Sequence, residues 1–153
     1  MGVEERLRQM GIEVPPAPQP AAAYVPAVEV GKLVFISGQL PLQAGTLKYQ
    51  GKVGRDLTWE EGYEAAKLCA LNTLGVIKAV VGGDWSRVQR IVRLSGFVAS
   101  AEGFTEQHKV INGASEFFKA VFDTQGEHAR SAIGVNELPL GAAVELETIV
   151  QLV

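Results

Sequence analysis

Two helix-length segments, each set between apolar strand-like runs, constrain this chain more than any other feature. The first opens at Thr58-Trp59-Glu60-Glu61, a capping box in which Thr58 bonds the Glu61 amide and the Glu61 carboxylate reaches back. An Ala/Leu-rich helix from Trp59 to about Val81 should follow, stopped by Gly82-Gly83. The second runs from a cap at Thr105 to about Phe122, with Gln125-Gly126 as its exit. Between them Val88 to Ala99 sets Val88, Ile91, Val92, Leu94, Phe97 and Val98 around Arg90 and Arg93, the pattern of a long strand.

Strands are also predicted over Tyr24–Val30 and Lys32–Ser37, around Gly31, with Gly38 ending the second. Leu33-Val34-Phe35-Ile36 is a continuous apolar run, as in a strand buried on both faces. Gln39–Asp56 reads as loop with a short strand near Leu47–Tyr49. Further strands are predicted over Arg130–Val135 and Ala143–Val153, joined by a Leu138–Gly141 turn. The order is β-β-(β)-α-β-α-β-β. Helices between strands call for crossover connections. The simplest solution is an α+β sandwich of one mixed sheet with two helices on one face. The other face is then bare and apolar, and homo-oligomerisation is the natural way to cover it.

Ahead of this lies a predicted short helix, Val3 to Met10, with Glu4 and Glu5 early, Arg6 and Arg8 late, and Gly11 as its stop. Pro15-Pro16-Ala17-Pro18-Gln19-Pro20 must be an extended connector over the surface. We therefore divide the chain into an N-terminal helix and Pro-rich extension, 1–20, and a single domain, 21–153.

With 153 residues, 47% hydrophobic and 20% charged, the chain can bury one full core. A net charge of −3 argues against a nucleic-acid partner. No apolar run approaches a membrane span and the charged N-terminus has no signal-peptide core, so no membrane partner and a cytoplasmic location are expected. A lone cysteine, Cys69, excludes an internal disulfide and sits in helical context as a small apolar residue. His108 and His128 lack metal-ligand spacing, so neither metal nor cofactor is expected.

No P-loop, G-x-G-x-x-G or G-x-S-x-G is present. Three weaker signals remain. Ser37-Gly38-Gln39, at a strand end, is either a simple turn or a place where a hydroxyl and amides meet a small ligand. Arg130 opens a strand, as a solvated edge residue or as a bidentate carboxylate grip. Glu145 lies fifteen residues beyond it; an antiparallel pairing through Leu138–Gly141 would bring the two together at a sheet end, as a structural ion pair or as functional groups.

Tyr24, Ser37-Gly38-Gln39, Ala129-Arg130-Ser131 and Glu145, in this order and spacing, resemble the Rid family of reactive intermediate deaminases, also called YjgF-like or L-PSP endoribonuclease-like. The resemblance spans about Tyr24 to Val153. It implies a chorismate-mutase-like fold, a homotrimer and ligand clefts between subunits. It also implies that Arg130 binds the substrate carboxylate and that Glu145 positions or activates water. Tyr24 and Ser37 would line the cleft, Gly38 would offer backbone contacts, and Asn112 and Ala132 would stand at further ligand-facing positions. The chain departs from the family pattern at His128 (proline or alanine favoured), Ala132 (often cysteine), Asn136 and Leu146, and its first twenty residues and Gln39–Asp56 look like additions, as in a longer bacterial branch.

The leading functional expectation is therefore hydrolysis of enamine or imine intermediates, of the 2-aminoacrylate or 2-iminobutanoate type, to 2-keto acids and ammonia. The partner would be a small carboxylate-bearing imine or enamine, or a keto acid. Such chemistry needs a carboxylate anchor, a placed water and proton transfer. The alternatives are a non-catalytic small-carboxylate-binding or regulatory module, and an endoribonuclease. For the last, only a local patch such as Lys32, Lys48 and Lys52 offers basic charge.

Overall fold

The chain opens with helix α1 (Val3–Gln9), whose acidic first turn and basic last turn suit the helix dipole. The structure, a computed structural model, describes residues 1–20 and 22–153. Strands β1 (Ala27–Val30) and β2 (Leu33–Gln39) form a hairpin around Gly31. A small two-stranded ribbon, β3 (Leu42–Gln43) and β4 (Thr46–Leu47), follows. The long helix α2 (Trp59–Val81) starts at the predicted capping box: the Thr58 hydroxyl accepts from the Glu61 amide at 3.1 Å and Glu61 accepts from the Thr58 amide at 3.1 Å. Gly82 ends it in the left-handed conformation, φ 63°. Then come β5 (Val88–Ala99), α3 (Gln107–Phe122), β6 (Ala129–Val135) and β7 (Val144–Leu152).

Among the described residues the main sheet has the strand order β1-β2-β7-β5-β6. Only β5 and β6 run parallel, with α3 as their crossover; the other pairs are antiparallel. The expected mixed sheet with two helices on one face is therefore present. Helices α2 and α3 meet closely: a Cβ on Gly113 would lie 2.0 Å from the Tyr63 carbonyl oxygen, so only glycine allows this crossing. The core lies between the helix pair and the inner sheet face, with Phe118, Phe122, Leu74, Ile91, Leu94 and Leu146 fully buried.

Several local expectations need correction. Helix α3 begins at Gln107 behind Glu106, and no side chain caps it; Thr105 is outside. Tyr24 lies ahead of β1 rather than in it. Gly38 does not end β2, which runs on to Gln39 through a register irregularity after Ile36. Leu33-Val34-Phe35-Ile36 is buried on one face only: Val34 and Ile36 point to the core, whereas Leu33 and Phe35 are 37% and 44% exposed. The short strand expected near Leu47–Tyr49 is instead the β3–β4 ribbon. Strand β5 does not alternate strictly because register shifts between Val88 and Arg90 and between Ile91 and Arg93 re-phase its inner face.

The outer sheet face carries exposed Val28, Val30, Leu33, Phe35 and Ile133, which is the bare apolar face that the element order implied. The N-terminal segment lies against the helix side. Leu7 is 5% exposed and joins the core, and Arg6 donates to the Val121 carbonyl at 3.3 Å. The proline connector passes so close to α2 that a Cβ on Gly75 would fall 2.5 Å from the Pro15 carbonyl oxygen. No helix among the described residues is long and apolar enough to cross a membrane.

Candidate functional site

The residues singled out in the sequence separate into two groups. In the first, the Ser37 hydroxyl donates to the Val25 carbonyl at 2.6 Å and its amide donates to the Pro26 carbonyl at 2.9 Å. These bonds hold the segment carrying exposed Tyr24 against the end of β2. Gly38 sits in the irregular part of β2, and a Cβ there would lie 2.6 Å from Glu145 Oε1. Glycine is thus what lets the Glu145 side chain lie across β2. Gln39, buried at this strand end, donates from Nε2 to the Ser37 carbonyl at 3.0 Å and stiffens the irregularity. Its pairing could not be read from sequence, because it depends on the shifted register.

Glu145 is half-buried and forms no hydrogen bond or ion pair with a described residue. Burial, and secondarily the Glu147 charge, raise its pKa above the usual carboxylate range. Cys69 lies in the core of α2, fully buried, with its thiol pushed up mainly by burial and, less, by Glu145; that is the inert structural cysteine expected.

The second group lies on the other side of the sheet. Arg130 pairs in register with Leu94 and shares its inward face, so its side chain runs along α3. Its Nη1 donates to Ser115 Oγ at 3.1 Å and its Nη2 to the His108 carbonyl at 3.0 Å. Asn112 stands between His108 and Ser115 on the same helical stripe. Its side chain borders a groove with Trp59, Tyr63, Lys109 and Glu116. Ala132, aligned with Gly96, is on the inward face two residues beyond Arg130. Arg130 has no carboxylate partner among the described residues, and burial lowers its pKa.

The expected meeting of Arg130 and Glu145 within one chain does not occur. Strands β6 and β7 are not neighbours; β5 runs between them. Arg130 is level with Leu94 and Glu145 with Phe97, so the two side chains leave the sheet on opposite faces. The Arg130–Glu145 ion pair is therefore ruled out as an intrachain contact. What results is a lone guanidinium on one side and a lone carboxyl, beside Gly38, Ser37 and Tyr24, on the other.

Sequence reasoning also missed Ser115 and, in part, His128. Ser115 Oγ lies 2.8 Å from His128 Nε2, and His128 Nδ1 lies 2.6 Å from the Gly126 carbonyl oxygen. The two residues sit on different elements, and nothing in their local sequence links them.

The family model described as "YjgF/chorismate_mutase-like, putative endoribonuclease" matches residues 4–150. Protein TCP17 of Trypanosoma cruzi is 44% identical over 98% of this chain and 94% of its own length. A 2-iminobutanoate/2-iminopropanoate deaminase of Dermatophagoides farinae is 33% identical over 91% of this chain and 93% of its own length. Among solved structures, the protein Atu1372 of Agrobacterium tumefaciens, of unknown function, superposes with a TM-score of 0.92 at 44% identity, covering 99% of this chain and 92% of its own. TdcF of E. coli with bound serine superposes with a TM-score of 0.59 at 26% identity, covering 88% and 92%.

Proposed function

The chain belongs to the YjgF/chorismate-mutase-like family, and from that premise we propose that it hydrolyses small 2-imino or 2-enamino acids to 2-keto acids and ammonia at a cleft assembled between copies of itself. The observation that carries this reading is the pair of partly buried, ionically unpartnered groups, Arg130 and Glu145, placed on opposite faces of one sheet. A buried unpaired charge is costly, and a charge retained under those conditions points to a ligand or a partner that neutralises it. The apolar outer face supplies a reason for copies to associate, as a trimer, and association would bring Arg130 of one copy toward Glu145 of another. TdcF carries an amino acid in its structure, which supports a carboxylate-bearing ligand in the family.

In this reading Arg130, anchored by Ser115 and the His108 carbonyl, turns its remaining donors to the substrate carboxylate, with Asn112 and Ala132 beside it. Tyr24, Ser37 and Gly38 bound the other wall. Ionised Glu145 takes a proton from water as its oxygen attacks the imine carbon, and the raised pKa makes it a stronger base than an exposed carboxylate. That proton passes to the imine nitrogen, giving a carbinolamine; Glu145 then takes the proton of the new hydroxyl and delivers it to nitrogen, so that the C–O bond becomes the keto carbonyl as the C–N bond breaks and ammonia leaves.

The test is a coupled assay in which a pyridoxal-phosphate dehydratase generates the imine and keto-acid release is followed with and without the protein. Wild type should accelerate release. Arg130→Lys keeps the charge but loses the planar fork, worth about 2–4 kcal/mol or roughly a hundredfold in keto-acid affinity. Its Tm should stay close to wild type. Unchanged affinity in Arg130→Lys would remove Arg130 from the site. Keto-acid binding without any acceleration would leave a non-catalytic binding module instead.

A further inference from the structure

Arg130 does not stand alone on its side of the sheet. It begins a chain of hydrogen bonds that runs Arg130 Nη1 to Ser115 Oγ (3.1 Å), Ser115 Oγ to His128 Nε2 (2.8 Å), and His128 Nδ1 to the Gly126 carbonyl (2.6 Å). The direction of every bond follows from chemistry. A carbonyl oxygen only accepts, so His128 Nδ1 must carry the hydrogen. In the neutral ring Nε2 is then an acceptor, and the Ser115 hydroxyl must donate to it. The Ser115 oxygen is left to accept from Arg130, which can only donate. One tautomer of one histidine thus sets three bonds in series.

The last acceptor is built into the fold. The Gly126 turn packs against α3 so tightly that a Cβ on Gly126 would lie 2.3 Å from the Phe118 carbonyl oxygen. The carbonyl facing His128 therefore belongs to a rigid part of the molecule. Ser115 is not set up as a nucleophile: it stands in the middle of α3, where backbone amides are spent on helical bonds and cannot form an oxyanion hole.

We propose that Ser115 and His128 are positioning residues that orient Arg130 for its carboxylate ligand, and that protonation of His128 tightens that binding. The proposal rests on the reading of Arg130 as the carboxylate anchor. When His128 gains a proton, Nε2 becomes a donor to Ser115 Oγ, the Ser115 hydroxyl hydrogen is released, and a second positive charge stands one serine away from the guanidinium. A keto-acid carboxylate stays ionised throughout and gains from that charge.

The charged surroundings of His128 are few. Arg130 lies two residues further on, in β6, and Lys119 of α3 pairs at 3.6 Å with Glu127, the residue before His128. Arg90 of β5 donates to the Glu127 carbonyl at 2.9 Å. Exposed His108, on α3, is the other histidine of the chain, and its carbonyl accepts from Arg130. Burial is the main cause holding His128 below the ordinary histidine pKa; its bond to the Gly126 carbonyl opposes this, Arg130 and Lys119 add to it, and the ring is neutral at neutral pH.

The experiment measures pyruvate affinity by calorimetry between about pH 8 and about pH 5 for wild type, Ser115→Ala, His128→Gln and Arg130→Lys, with Tm recorded for each. Wild type should bind about threefold or more tightly at the acid end. His128→Gln offers an acceptor and a donor in place of the ring nitrogens but does not titrate, so its affinity should not change with pH. Ser115→Ala removes the acceptor that fixes Arg130 and should lose about tenfold at every pH. A pH step that survives in His128→Gln belongs to His108 or another group and overturns the proposal, as does an unchanged affinity in Ser115→Ala. Should Ser115→Ala prove too unstable to measure, the His128→Gln pH profile decides alone. Loss of affinity in Arg130→Lys with no effect in the other two would sink the relay and leave the anchor standing; no effect in Arg130→Lys would sink the anchor itself.

Discussion

Replacing Gly38 by alanine isolates one contact on which the candidate chemistry depends. The new Cβ would lie 2.6 Å from Glu145 Oε1, 2.8 Å from Cδ and 3.0 Å from Cγ. Turning the carboxylate alone cannot relieve this, because Cγ is also too close; the whole side chain must swing. Gly38 is not at positive φ, so alanine adds no backbone strain and the clash is the main effect. An off-rotamer swing costs about 0.5–1.5 kcal/mol. The catalytic consequence is larger, since a displacement of about 1 Å in a reacting group costs on the order of a hundredfold in rate. Urea unfolding of Gly38→Ala, Glu145→Ala and the double variant gives the coupling. With the Glu145 side chain gone there is nothing to strike, so Gly38→Ala should be close to neutral in that background and the two changes should be non-additive by about 1 kcal/mol. Keto-acid release by Gly38→Ala should fall far more than its stability does. Additive stabilities together with wild-type turnover would show that the position of Glu145 across β2 is immaterial, and the reasoning would fail.

Other expectations follow from the same structure. Because the folded pKa of Glu145 is raised, its stabilising contribution is complete below the ordinary carboxylate pKa and is lost as pH rises through the raised value. Glu145→Gln should therefore match or exceed wild-type Tm at neutral pH, with the difference closing in acid, while hydrolysis is lost; a markedly lower Tm at neutral pH would mean that the carboxylate is paired in the assembled protein. Light scattering should give a trimer, and Phe35→Asp on the outer face should shift it toward monomer; a wild-type monomer at micromolar concentration ends the intersubunit reading. Leu7→Ala should cost about 2–3 kcal/mol because Leu7 is 5% exposed within the core, and an unchanged urea midpoint would show that α1 is dispensable.

Much of the fold was legible because its signals are local. The Thr58/Glu61 box and the Gly82-Gly83 stop define α2 to the residue, and Val88–Ala99 is β5 over its full predicted length. Apart from shifted element ends such as the start of α3, the misreadings are non-local. A Leu138–Gly141 turn suggests a hairpin, yet β7 inserts between β2 and β5, which no periodicity encodes. The run Leu33–Ile36 cannot say whether its second face is covered by its own chain or by another copy. Arg130 and Glu145 were legible as residue types suited to a site, but the opposite faces they occupy depend on strand order. Ser115 was invisible, because a serine inside a helix acquires meaning only when β6 brings His128 and Arg130 beside it.

The order of the sheet also bears on how the molecule is made. The strand at its centre, β7, is the last of the described strands to be synthesised, and it zips Leu33 to Gln151 and Arg93 to Ile149 at once. Until it emerges, the β1–β2 hairpin and the β5–α3–β6 unit are two half-sheets, each offering an unpaired apolar edge to any other nascent chain nearby. Closure therefore waits on the most distant contacts in the sequence, a topology that folds slowly. A synonymous change or stall that delays only the final strand should lower soluble yield well before it alters anything in the finished protein.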